Sequence, residues 1–132
     1  MAVLPTVRYM ILCEDWALRP GSPRRFDAYG ILSTIRSLGH PAYPLLYREF
    51  CVVLVLTEGR GTGQARIAVV SEENGQVVMD STSRPVPFGN DPLAIVGVPF
   101  RIRDCLFPRR GIYAVQFWYN ELLIAERPLR LR

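Results

Sequence analysis

The sequence predicts an all-β protein, a seven- to eight-stranded antiparallel β-sandwich, on three observations. Glycine and proline make up 21 of the 132 residues and are spread along the chain, which favours many short elements joined by turns over a helical bundle. Short apolar runs rich in β-branched residues alternate with those turns at near-regular spacing. Hydrophobic residues account for 49% of the chain. That content excludes disorder and lets one domain over residues 1–132 bury about 68% of its unfolded surface.

Val7 to Leu12 reads as a buried strand stopped by the polar pair Glu14–Asp15. Trp16 to Arg25 reads as a loop, because Arg19-Pro20-Gly21-Ser22-Pro23 continues neither strand nor helix. Phe26 to Leu38 carries two patterns. Phe26, Tyr29, Leu32, Ile35 and Leu38 fall three apart behind a capping Asp27, which suits a helix. Gly30 in mid-segment and the alternation of Tyr29, Ile31, Ser33 and Ile35 suit a strand, which is the preferred reading. A short helix or a turn is expected around 36–47.

Arg48 to Glu58 is the clearest strand, with the run Phe50 to Leu56 at its centre. Gly59-Arg60-Gly61-Thr62-Gly63 is a turn into a strand at Gln64 to Val70. Asn74–Gly75 tips a hairpin returning through Gln76 to about Ser81. Ser83 to Pro92, with its prolines, reads as an irregular connection. Leu93 to Arg103 is a strand in which Pro99 implies a bulge or a sheet edge, since proline offers no amide to a ladder. Phe107 to Gly111 turns into the strand Ile112 to Tyr119, and Asn120–Glu121 closes a tight hairpin into Leu122 to Leu131.

Composition narrows the chemistry. All 16 basic residues are arginine against 12 acidic residues, a net charge of +4, too mild to argue nucleic-acid binding by itself. The absence of lysine excludes a Walker-type phosphate loop, and the glycine-rich 59–63 turn leads into a strand instead of a helix N-terminus. His40 is the single histidine and stands between Gly39 and Pro41, away from any nucleophile-elbow motif. Glu14, Asp15, Asp27 and Asp91 lack the close oxygen spacing that calcium requires. Cys13, Cys51 and Cys105 form no C-x-x-C pair, which points to free thiols in a reducing compartment. Neither a cofactor nor a metal is expected. With Arg8 interrupting the first apolar stretch and no run near 20 apolar residues, no membrane segment is expected either, and a cytoplasmic location follows.

Leu12-Cys13-Glu14-Asp15, followed after a loop by Asp27-Ala28-Tyr29-Gly30-Ile31-Leu32-Ser33-Thr34-Ile35, resembles the opening of a family of small uncharacterised bacterial proteins. Phe107-Pro108-Arg109-Arg110-Gly111-Ile112-Tyr113, with Glu126-Arg127-Pro128-Leu129-Arg130-Leu131, is similar to that family's last two strands and to the last hairpin of many immunoglobulin-like sandwiches. The resemblance implies an immunoglobulin-like β-sandwich and a strand at Phe26–Ile35. It implies no activity and no catalytic residues.

Two binding surfaces emerge as expectations. Strand 112–119 directs Tyr113, Val115, Phe117 and Tyr119 one way and Ile112, Ala114, Gln116 and Trp118 the other. Strand 50–56 is apolar on both faces. In an immunoglobulin-like topology the two strands share a sheet, so Trp118, Ile112 and Val53 would join in one apolar patch for self-association or a protein partner; alternatively, residues 36–47 cover that face. The second surface is a loop end collecting Arg19, Arg24, Arg25, Arg60 and Arg84, an anion- or nucleic-acid-binding rim unless its neighbouring acids merely neutralise it. The leading expectation is a non-enzymatic protein-binding or assembly module, and the alternative is an anion- or nucleic-acid-binding sandwich.

Overall fold

The computed structural model describes residues 3–21 and 25–132. Ten strands follow in chain order: β1 Thr6–Leu18, β2 Phe26–Ile31, β3 Thr34–Ile35, β4 Leu45–Thr57, β5 Thr62–Ser71, β6 Val77–Asp80, β7 Arg84–Pro87, β8 Ile95–Phe107, β9 Gly111–Tyr119 and β10 Leu122–Leu131. One sheet has the order β2-β1-β4-β8. The other has the order β3-β10-β9-β5-β6, with β7 also on β5. All pairings are antiparallel except the short β3–β10 ladder. The all-β sandwich expected from the sequence is present, with ten strands where seven or eight were counted, and Phe26–Ile31 is a strand.

The main core lies between the sheets and follows directly from alternation. Phe50, Val52, Leu54 and Leu56 from β4 meet Tyr113, Val115, Phe117 and Tyr119 from β9. Phe107 packs edge-on against Tyr113 at 5.0 Å, and Phe100 against Phe117 at 6.3 Å, within the range of favourable aromatic pairs. Residues 36–44 form no helix; Tyr43 and Leu45 pack on this main core.

Turn chemistry behaves as the residue types require. Asn120 and Glu121 both take positive φ (50° and 63°), the geometry that matches a two-residue hairpin to strand twist. The Asn120 carboxamide then accepts the Gln64 amide at 2.8 Å, tying the turn to β5. Gly75 (φ 74°) closes the β5–β6 hairpin and donates to the Ser71 carbonyl.

Two local expectations need correction, and a third resolves to one of its two options. β1 does not stop at Glu14–Asp15 but runs on through Leu18: both acids lie on exposed positions, and Arg101 draws Asp15 into an ion pair at 3.2 Å. The stretch Ser83–Pro92 contains β7, whose prolines are tolerated because β7 borders the sheet and pairs only with β5. Pro99 causes no bulge, since the β4–β8 register runs evenly through Val53 opposite Pro99. Its tolerance comes from the other option, the edge position of β8.

The expected apolar patch is not assembled. β4 and β9 lie in different sheets, so Val53 and Trp118 occupy opposite outer faces of the sandwich.

Candidate functional site

The outer face of the four-stranded sheet is built by a departure in β1. Its first half pairs with β4 from Thr6 to Cys13; beyond Cys13 it pairs only with β2, as far as Leu18 opposite Phe26. Freed from β4, the β1–β2 hairpin folds back over the sheet. Trp16, Phe26 and Ala28 pack on Cys13, Cys51 and Val53, a second small core separate from the first. Phe26 crosses β4 to reach β8, where a Cβ on Gly97 would stand only 2.9 Å from its ring. Glycine is therefore needed at Gly97 for close approach. Trp16 braces Phe26 edge-on at 6.5 Å.

This arrangement leaves a groove of about 1030 Å³ between the hairpin and the 91–99 stretch. Its floor is Val53, Val55, Phe26, Gly97 and Pro99. Tyr9, Leu18, Leu93 and Ile95 stand along it, all more than half exposed. Arg8, Arg19, Arg25 and Asp91 supply its charge. Arg19 is held by Asp27 at 2.7 Å, which also raises its pKa. Among the described residues no carboxylate comes within ion-pair distance of Arg8 or Arg25. Trp16's amide and the Arg101 guanidinium hold the Asp15 carboxyl below the usual carboxylate range.

The sequence-derived candidates separate. Val53 lies in the groove floor and Arg25 on its rim. Arg24 lies outside the described residues. Arg60 is exposed and makes a backbone bridge with Val3. The 59–61 turn and the 88–89 loop do meet, through the Gly61 amide on the Gly89 carbonyl and the Phe88 amide on the Gly61 carbonyl. Arg84, however, turns into the molecule. Its guanidinium stacks on Phe100 at 4.3 Å and donates to the Pro99 carbonyl, and burial lowers its pKa. It clips β7 of one sheet to β8 of the other and is no part of an exposed rim.

Trp118 is half-buried on the opposite face. Its indole N–H donates to Gln116 at 3.1 Å, and Arg66 covers its ring at 4.6 Å while pairing with Asp80 and Glu121. Ile112 is exposed at a separate concavity near the chain's last strand. Sequence reasoning missed Tyr9, Leu18, Leu93 and Ile95 as groove residues.

All three cysteines are free and buried. Cys13 and Cys51, far apart in sequence, are direct cross-strand partners. Burial, reinforced by Cys51, pushes the Cys13 thiol up to about 11, and burial pushes Cys105 up to about 12. Among the described residues no three metal-ligating side chains cluster, and no helix is long and apolar enough to cross a membrane.

A structure of Pseudomonas fluorescens alkylpurine DNA glycosylase AlkC bound to DNA containing an abasic site analog is similar in fold. It has a TM-score of 0.60 and 9% identity over 97% of this chain, and the match spans 30% of the glycosylase. Beta-D-glucoside glucohydrolase from Trichoderma reesei is similar with a TM-score of 0.51 and 10% identity, over 98% of this chain and 19% of that one. At these identities the likeness is one of fold alone. No curated protein matches the sequence. Residues 10–132, from the middle of β1 to the last residue, match the model of a family of unknown function, DUF6941, and the chain belongs to that family.

Proposed function

We propose that the protein is a non-catalytic docking module, and that its groove takes an extended segment of a partner protein carrying apolar side chains flanked by acidic ones. The observation that carries this reading is the pairing of a groove with apolar side chains along it with two arginines, Arg8 and Arg25, that have no carboxylate in range among the described residues. Apolar area gives such a contact its affinity, and guanidinium forks select carboxylates by bidentate hydrogen bonding. The described lining contains one carboxylate, Asp91, and neither histidine nor cysteine, a set suited to recognition. Both structures of like fold use the matching part as a minority of a longer chain, which suits a sandwich that works as a module.

Selection of a displayed random-peptide library on the wild-type protein tests this. The expected result is enrichment of peptides with Asp or Glu beside an apolar core, and loss of their binding with Ile95→Asp or Arg25→Glu. Enriched peptides without that pattern, or indifferent to both substitutions, would contradict it. Concentration-dependent sedimentation abolished by Ile95→Asp would instead make a second copy of the chain the occupant.

A further inference from the structure

A second concavity, remote in sequence and separate from the groove, gathers four guanidiniums that composition gave no reason to group. The short β3 runs parallel to the end of β10, with Thr34 beside Arg130 and Ile35 beside Leu131. The ladder continues one step: the Arg132 amide donates to the Ile35 carbonyl at 2.9 Å, and the Ser37 amide to the Arg132 carbonyl at 2.8 Å. Arg36 is thereby set beside Arg132. On the other side of β10, Arg130 lies opposite Ile112 and Leu131 opposite Gly111, which brings in Arg110 from the preceding turn. That turn is held by the Tyr113 hydroxyl, which donates to the Arg109 carbonyl at 2.7 Å. Alternation buries Leu129 and Leu131 and leaves Arg130 and Arg132 on the exposed side.

The concavity is open to solvent, has a volume of about 530 Å³ and is lined by Arg36, Arg110, Arg130 and Arg132 together with Ser37 and Ile112. All four arginines are exposed. None of them pairs with an Asp or Glu carboxylate among the described residues, whereas Arg19, Arg66, Arg101 and Arg103 are each paired. Glu73 approaches Gly111 at the rim without reaching any of the four. Four like charges around one hollow repel one another and create a strongly positive local field, which a multivalent anion relieves. Guanidinium forks match phosphate oxygens in pairs. Among the described residues no aromatic ring lines the hollow, so it lacks the stacking platform by which single-stranded nucleic acid is held. Recognition rests on charge and shape.

We propose that this corner is a binding site for a compact, multiply charged phosphate anion of the pyrophosphate or tripolyphosphate class. Titration calorimetry with pyrophosphate and with tripolyphosphate tests it, beside a short single-stranded oligonucleotide. The site predicts one equivalent bound, tighter for tripolyphosphate, weakening as salt screens the charges. Arg36→Gln combined with Arg130→Gln should reduce affinity about tenfold or more, with an unchanged circular-dichroism spectrum. Arg48→Gln, an exposed arginine outside both concavities, should leave it unaltered. Failure of the wild type to bind either anion at low salt would overturn the proposal, as would binding that survives the Arg36/Arg130 double substitution. Tighter binding of the oligonucleotide than of tripolyphosphate would overturn the compact-anion assignment. None of these outcomes depends on what occupies the groove.

Discussion

Gly63 lies directly beneath the Tyr119 ring, so close that a Cβ there would stand 2.1 Å from the ring carbon bearing the hydroxyl. Tyr119 is wholly buried and Gly63 belongs to the paired strand β5, so neither can yield without moving a sheet. Gly63→Ala is expected to destabilise by about 2 kcal/mol or more, in the range of overpacked cores, as measured by urea unfolding. The thiols report burial differently. Cys13 and Cys105 hold their protons to about 11 and about 12, above the ordinary thiol value of 9.0. The unfolded chain therefore ionises first, and the stability owed to these groups is fully present below pH about 9 and falls as pH rises toward the folded values. Denaturation midpoints at pH 8, 9.5 and 10.5 should decline in that order, and a flat or rising series would contradict the burial. Residue-scale alternation was legible: Tyr113, Val115 and Phe117, set together on one side of their strand by the sequence, are all buried. Arg84 was not legible, because stacking on Phe100 depends on an edge-to-edge meeting of two sheets that no local pattern encodes.

The β1–β2 hairpin is the element on which the candidate site depends. Its hold on the sheet is Trp16 and Phe26 over Cys13, Cys51 and Val53, fastened by the Asp15–Arg101 pair. Phe26→Ala should cost about 2 kcal/mol, less than a fully enclosed phenylalanine because Phe26 is only half-buried. It should also raise the rate at which an aromatic disulfide reagent labels Cys13 and Cys51 in the native protein, while Cys105, buried elsewhere, keeps its wild-type rate. Equal acceleration at all three cysteines would mean global loosening instead of a lifted hairpin. The strand at Phe26–Ile31 was legible through its alternation and Gly30. The length of β1 was not, because Glu14 and Asp15 read as a stop when they are the exposed positions of a continuing strand. Likewise β7 was hidden by prolines that only an edge position makes acceptable.

At the scale of the molecule the sandwich has two unlike outer faces. One carries Trp118 beneath Arg66, which Asp80 and Glu121 neutralise; the other carries the groove with Arg8 and Arg25. Sequence alone made both strands apolar on two sides, but their assignment to separate sheets depends on long-range pairing of β4 with β1 and β8, and of β9 with β5 and β10. The four-arginine corner was invisible for the same reason, since Arg36 and Arg130 meet only through a two-residue parallel ladder. Trp118→Ala should accordingly leave peptide affinity within about twofold of wild type, and loss of its half-buried ring together with the Arg66 cation–π contact should cost about 2 kcal/mol of stability. The claim that the groove is the docking surface is tested most directly by amide hydrogen exchange of the wild-type protein with and without a library-selected acidic–apolar peptide. The account predicts slowed exchange confined to the hairpin at 8–18 and 25–28 and to the 91–99 stretch. Protection centred instead on β5 and β9 around Trp118, with the 91–99 stretch unchanged, would contradict it.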